Sequence, residues 1–193
     1  MKKLILASKS PYRKEILAKI GVPFECVSSG FDEDELKKTY SDPQVLTQKL
    51  AIGKAQAIEA NFQGAVIIGS DQVCHVDGKI LGKTGNIADS LEQLKLLQDR
   101  THELVTSYCL LYQGEFKVRT NVTKLTMRKL SESQLKNYLS IDNPIDCAGS
   151  YKLELNGIGL MKKVETEDYT AIIGLPLVAL TNDLEELGFS VFS

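Results

Sequence analysis

No long apolar run exists anywhere in this chain. The N-terminus, Met1-Lys-Lys-Leu-Ile-Leu-Ala7, opens like a signal peptide, but the apolar stretch ends after a few residues at Ser8-Lys9-Ser10-Pro11. It is too short for a secretion signal and far too short to span a bilayer, so a buried first strand is expected. Cysteine is sparse: Cys26, Cys74, Cys109 and Cys147 lie far apart with no C-x-x-C pair. That excludes a disulfide framework or a zinc motif and predicts reduced thiols in a cytoplasmic protein. The Gly-x-x-x-x-Gly-Lys-Ser/Thr loop and the Gly-x-Gly-x-x-Gly turn are both missing, so neither a P-loop nor a Rossmann site is expected. His75 and His102 are isolated, which leaves no Ser-His-Asp or Cys-His arrangement, and His102, just before a strand, reads as structural. Neither sign of charge dominates, with 23 basic and 25 acidic side chains. This balance, with no basic, aromatic-rich stripe, argues against nucleic acid or anionic membrane as a partner. If such a chain handles a polyphosphate, it must concentrate positive charge locally.

What is present is the patterning of an α/β protein. The 193 residues suffice for one domain with a real core, and no repeat, low-complexity tract or linker divides them. Residues 3–7 predict a central strand. Ile16, Leu17 and Ile20 at helical spacing predict a helix stopped by Gly21-Val22-Pro23, and 24–29 predict a strand. The acidic stretch 31–42 reads as a loop, and 43–60 as a helix. A buried strand is expected over 65–69, then a hairpin over 72–81 turning at Asp77-Gly78. Further along come a helix over 87–97 and two long strands, 103–112 and 116–129, joined at Gln113-Gly114-Glu115. A Ser131-capped helix to Leu139 precedes a glycine-rich loop region over 142–163. A last inner strand is expected over 169–173, a helix from Pro176 to Leu187, and an end strand over 189–192. The expected fold is a mixed twisted sheet flanked by helices, two-lobed with a central cleft.

Several residues carry potential chemistry. Ser10 is suited to N-cap the first helix and Pro11 to occupy its first position, so free N–H groups face the end of strand one. Such a helix start is a natural phosphate seat; Ser8 adds a hydroxyl and Arg13 a forked cation. An ordinary capped helix with a surface arginine would look the same. Lys54 shares a stripe with Leu46, Leu50 and Ile58, spaced by four, so it either snorkels out or meets a buried anion. Asp71 follows the apolar strand Ala65–Gly69, at a strand end where ligands bind in α/β sheets. It can hold a metal, orient a water, or simply make a turn. Lys83, beside Gly82, can reach a phosphate. The run Asp32-Glu33-Asp34-Glu35 reads as a solvated loop unless one member helps bind Mg²⁺.

Taken together these segments resemble the Maf family almost end to end. The resemblance runs through Leu-Ala-Ser8-Lys-Ser10-Pro-Tyr-Arg13, Phe31-Asp-Glu33, Leu50-Ala-Ile-Gly-Lys54-Ala, Gly69-Ser-Asp71-Gln-Val and Leu81-Gly-Lys83. It continues through Arg100-Thr-His102-Glu-Leu-Val-Thr106, Asp146-Cys-Ala-Gly149-Ser-Tyr and Ile173-Gly-Leu-Pro176-Leu. Each motif alone is weak; their order and spacing are specific. The resemblance implies an α/β fold related to the inosine triphosphatases, and a pyrophosphatase that uses Mg or Mn to cut between the α- and β-phosphates of a nucleoside triphosphate. It places Ser8, Arg13, Lys54 and Lys83 around the triphosphate, Asp71 as general base, and Glu33, with Asp71, near metal or water. It also implies a homodimer. A family branch acting on dTTP and UTP has Thr after the catalytic Asp; this chain has Gln72 there and Cys147-Ala-Gly-Ser-Tyr-Lys-Leu-Glu154 downstream, similar to the branch that prefers 7-methyl-GTP. A carboxylate such as Glu154 suits the two adjacent donors on the guanine edge, and Gln72 is expected to tune the same preference. A nucleotide-binding regulator of septum formation, with no catalytic base, is the alternative from another class.

Overall fold

The computed structural model describes residues 2–191. In chain order the elements are β1 (Leu4–Ala7), α1 (Pro11–Ala18), β2 (Glu25–Val27), α2 (Asp34–Thr39), α3 (Pro43–Glu59), β3 (Val66–Val76) and β4 (Lys79–Leu81). They continue with α4 (Ile87–Leu97), β5 (Thr101–Tyr112), β6 (Glu115–Met127), α5 (Glu132–Asp142), β7 (Met161–Glu165), α6 (Thr170–Ile173) and α7 (Leu177–Glu186). The strands form one mixed sheet in the order β2-β1-β3-β5-β6-β7, with β4 paired to β3. β1 runs parallel to both β2 and β3, whereas β4 is antiparallel to β3 and β7 to β6. No helix of the described residues is long and apolar enough to cross a membrane.

The described chain divides into two compact units. The first comprises the residues up to Gln72, Thr106–Asn121 and those from Asp168 onward; the second comprises Val73–Val105 and Val122–Glu167. In the first unit the alternation of β1 explains its unbroken apolar run. Leu4 and Leu6 join one buried cluster with Ile16, Leu17, Tyr108 and Leu180, while Ile5 and Ala7 join another with Ala51, Ala55 and Ile58. A strand covered on both faces needs apolar side chains at every position. In the second unit α4 and α5 supply Leu94, Leu97, Leu135 and Leu139 to the interior.

Several expectations need correction. The stretch 31–42 is not all loop, because α2 occupies Asp34–Thr39. It buries no residue, so no apolar period marks it; Asp34 and Glu35 in its first turn and Lys37 and Lys38 in its last favour it through the helix dipole. The inner strand expected over 169–173 is the one-turn helix α6, stopped at Gly174 with φ 116°. Asp168 holds it: its carboxylate accepts from the Thr170 amide at 2.9 Å and from the Val178 amide, at the start of α7, at 2.8 Å. Residues 66–69 of the expected 65–69 strand and the first arm of the hairpin are one strand, β3, which turns at Asp77-Gly78 into β4. The region 142–163 contains short 3-10 turns at Ala148–Ser150 and Asn156–Leu160 and then starts β7. Residues 189–191 form no strand, and Phe192 lies outside the described residues.

Candidate active site

The helix α3 is fixed at its start by Asp42, whose carboxylate accepts from the amides of Gln44 and Val45 at 2.8 and 3.0 Å. Its inner stripe is buried along its length: Leu46 at 1%, Leu50 at 0%, Lys54 at 8% and Ile58 at 3% exposure. A lysine at the centre of such a stripe must find an anion. Lys54 finds two, since its Nζ bonds Asp71 Oδ1 and, at 2.8 Å, Glu33 Oε1. The structure therefore decides between a snorkelling lysine and one that faces buried negative charge.

Asp71 lies inside β3 rather than past its end, and is buried. Two residues earlier Gly69 lets β3 lie directly on α3; a Cβ there would overlap the Ala51 carbonyl and crowd the Ala55 amide. This close approach sets the separation between Lys54 and Asp71. Glu33 stands at the start of α2 and gives its second oxygen to Lys37 Nζ at 2.6 Å. Burial opposes the charged form of Glu33, but hydrogen bonds from Lys37 and Lys54 outweigh it and hold its pKa down at about 2.

Arg13 sits on α1. The helix start is built as the sequence predicts: Ser10 caps it by accepting from the Arg13 amide at 3.4 Å, Pro11 takes the first position, and Ser8 Oγ accepts from the Ser10 amide at 3.1 Å. The Arg13 guanidinium donates through Nε to the Gly174 carbonyl at 3.1 Å. Burial pulls its pKa down, while the negative charges of Asp71 and Glu33 act the other way, so Arg13 lies within electrostatic reach of both carboxylates.

Gln72, next to Asp71, turns its amide nitrogen to Thr106 Oγ1 at 2.8 Å and to the carbonyls of Ala171 and Ile172 at 2.9 and 3.0 Å. The first unit thus holds Ser8, Ser10, Arg13, Glu33, Lys54, Asp71 and Gln72, with Glu33, Lys54 and Asp71 in direct contact. Lys83 and Glu154 belong to the second unit. Lys83 is exposed just past β4, and Glu154 is exposed between the two 3-10 turns. Desolvation raises the pKa of Glu154, with Asp142 and Asp146 adding to the rise against the pull of Lys152. His102 is buried, with Nε2 2.8 Å from Tyr151 Oη and Nδ1 unpartnered. Sequence reasoning missed Lys37; the i, i+4 spacing from Glu33 was the available signal. It also missed Ser70 and Gly174, which carried none.

The donors offered to a divalent cation are hard carboxylate oxygens. Among the described residues no group of three or more His, Cys, Asp or Glu could hold a metal. Glu33 and Asp71, both paired with Lys54, would hold a Mg²⁺ or Mn²⁺ ion only if waters and substrate phosphates supplied the rest of its oxygens.

A family model described as Maf-like protein matches residues 3–187. The chain is 42% identical over 185 residues to the 7-methyl-GTP pyrophosphatase of Bdellovibrio bacteriovorus, covering 95% of this chain and 96% of that protein. It is 44% identical to the one from Cupriavidus metallidurans, over 98% and 95% of the two chains. It is 40% identical to the one from Pseudomonas syringae pv. tomato, over 99% and 100%. Among solved structures, a HAM1 protein from Coxiella burnetii covers 66% of this chain and 73% of that one at 14% identity and TM-score 0.41, too distant a likeness to bear on the architecture.

Proposed function

This chain belongs to the Maf-like protein family, and from that premise we propose that it is a nucleoside triphosphate pyrophosphatase that hydrolyses 7-methyl-GTP to the monophosphate and pyrophosphate. The observation that carries the reading is the buried contact of Lys54 with Asp71 and Glu33. A buried cation bridging two carboxylates is costly as a structural device, because desolvation offsets most of the attraction. It is well suited to a site that must exchange one anion for another.

In the proposed reaction, water adds to the α-phosphorus, the bond from that phosphorus to the α–β bridging oxygen breaks, its electron pair leaves with pyrophosphate, and the water oxygen stays on the monophosphate. Asp71 accepts the water's proton: Lys54 engages its Oδ1, which leaves Oδ2 to face the water. Lys54, Arg13 and Lys83 balance the charge that moves onto the leaving group, with Ser8 and the start of α1 offering hydrogen bonds to phosphate oxygens. A bound Mg²⁺ or Mn²⁺, held by Glu33 and Asp71 with the phosphates, would supply Lewis-acid polarisation. Glu33 keeps its charge across the working pH range, as a metal-binding carboxylate must. Base selection falls to Glu154, since the Gln72 amide nitrogen is committed to α6. The Glu154 carboxylate would accept from guanine N1–H and the 2-amino group, and N7-methylation adds a ring charge that favours an anion.

The deciding experiment is pyrophosphate release from 7-methyl-GTP, GTP, dTTP and UTP, with and without Mg²⁺ or Mn²⁺, beside Asp71→Asn. The reading expects release strongest with 7-methyl-GTP, dependent on metal, and lost in the variant. Preference for dTTP or UTP would overturn the specificity, and tight nucleotide binding without release would overturn the activity.

A further inference from the structure

The helix α6 is a single turn, closed by the Gly174 amide donating to the Ala171 carbonyl at 3.0 Å, so its carbonyls take few intrahelical bonds. Side chains of β3 and β5 supply partners. The Ala171 carbonyl accepts from Thr106 Oγ1 and Gln72 Nε2, each at 2.9 Å, and the Ile172 carbonyl accepts from Gln72 at 3.0 Å. The residue that ends the turn is treated differently. The Gly174 carbonyl accepts from Ser70 Oγ at 2.8 Å and from Arg13 Nε at 3.1 Å. A carbonyl oxygen has two lone pairs, and both are occupied here.

Resting on the reading that Arg13 grips substrate phosphate, we infer that Ser70 and Gly174 are positioning residues that aim the Arg13 guanidinium. Arginine meets a phosphate best through a planar two-pronged edge. Anchoring Nε fixes the plane of the guanidinium and takes neither Nη group for the Gly174 contact. An unanchored arginine would have to order several rotatable bonds on binding substrate. The anchor itself is fixed from both sides. Ser70 is fully buried and holds the carbonyl from the strand. Gly174 has φ 116°, a conformation that side chains rarely adopt, and a Cβ there would come within 3.1 Å of Arg13 Nε and 3.2 Å of its Cγ. The position therefore admits a glycine on two separate grounds, backbone and neighbour. Ser70 and Asp71 are successive residues of one strand and face opposite ways, Ser70 to α6 and Asp71 to α3. One dipeptide thus places the proposed base and the orientation of a proposed phosphate cation.

A serine that merely holds α6 in place predicts a different result from one that acts through Arg13. The test is a double-mutant cycle on kcat and KM for 7-methyl-GTP with Mg²⁺, using Ser70→Ala, Arg13→Ala and the pair, each checked for unchanged thermal unfolding. Arg13→Ala is expected to lower kcat/KM about a hundredfold. Ser70→Ala is expected to lower it about tenfold, chiefly through KM, and to add no further loss in the Arg13→Ala background. Gly174→Ala should resemble Ser70→Ala where it folds. An equal fold-loss from Ser70→Ala in both backgrounds, or none in either, overturns the inference while leaving Arg13 its role. Full activity of Arg13→Ala overturns the reading beneath it, and that single variant distinguishes the two failures.

Discussion

Lys54 Nζ and Asp71 Oδ1 are in direct contact although each side chain is only 11% exposed, and the same Nζ also reaches Glu33. This arrangement separates stability from turnover. Lys54→Met keeps the apolar stem but leaves two carboxylates facing each other without their shared cation, and should cost about 3 kcal/mol of stability along with activity. Asp71→Asn keeps the Lys54–Glu33 pair and an oxygen acceptor, so its stability loss should stay near 1 kcal/mol. Its turnover should nevertheless fall by about 10²–10⁴. Urea unfolding and pyrophosphate release on the two variants decide the matter. Equal stability losses, or an active Asp71→Asn, would contradict the division of roles.

Gly69 carries a second prediction. A methyl group at this position meets the backbone of α3 at Ala51 and Ala55, neither of which can turn aside. Gly69→Ala should therefore destabilise the protein by about 2 kcal/mol and push α3 off β3. Because Lys54 lies on that part of α3, kcat should fall more than KM rises. Gly159→Ala is the control: an added Cβ there has open space, and neither stability nor rate should move. Wild-type turnover in a folded Gly69→Ala would show that the helix–strand spacing does not set the site.

The contrast between α3 and α6 shows what the sequence could and could not announce. The stripe Leu46, Leu50, Lys54, Ile58 spells out a helix with one misplaced charge, and the structure buries all four. In α6 the run Ala171-Ile172-Ile173 suits a strand equally well; local backbone bonds close it into a turn, the Asp168 carboxylate accepts from the Thr170 amide at its start, and Gln72 and Thr106 donate to the Ala171 carbonyl from other elements. The helix α2 was invisible for the opposite reason, since it buries nothing and so leaves no apolar period. Within the site, the meeting of Glu33, Lys54 and Asp71 was legible only from the joint order of weak motifs. The pairing of Ser70 with the Gly174 carbonyl joins a hydroxyl to backbone 104 positions away, and no residue type encodes a carbonyl partner.

Two buried groups contribute to the acid limb of stability in separate windows. Burial pushes the His102 pKa down from 6.5 to about 4, so the unfolded chain binds its proton first. Stability linked to His102 is intact above pH 6.5 and is lost as pH falls towards 4, by at most about 3 kcal/mol. Asp183 acts later. Burial opposes its charge, but Arg119 at 2.8 Å, Lys117 at 2.8 Å and the Tyr108 hydroxyl at 2.6 Å prevail and depress its pKa below 3.8. Its contribution is complete above pH 3.8 and disappears on further acidification. Urea unfolding from pH 7 to 3 should show His102→Gln flattening the first window only and Asp183→Asn only the second. A His102→Gln profile as steep as wild type between pH 6.5 and 4 would refute the assignment.

Glu154 offers a test of base choice that does not depend on overall activity. Its pKa is raised by desolvation, so it takes up a proton at higher pH than an ordinary glutamate. Protonation replaces one of its two acceptor oxygens with a donor, and the fit to guanine N1–H and the 2-amino group is lost. The ratio of kcat/KM for 7-methyl-GTP over UTP should therefore fall as pH is lowered towards the carboxylate range. Glu154→Gln presents one acceptor and one donor at every pH, close to the protonated form. Its ratio should be lower than wild type by about tenfold and should not change with pH. Because each ratio is taken within one enzyme preparation, losses from general acid inactivation cancel. An unchanged ratio in Glu154→Gln at neutral pH would remove Glu154 from recognition of the base and leave the pyrophosphatase reading untouched.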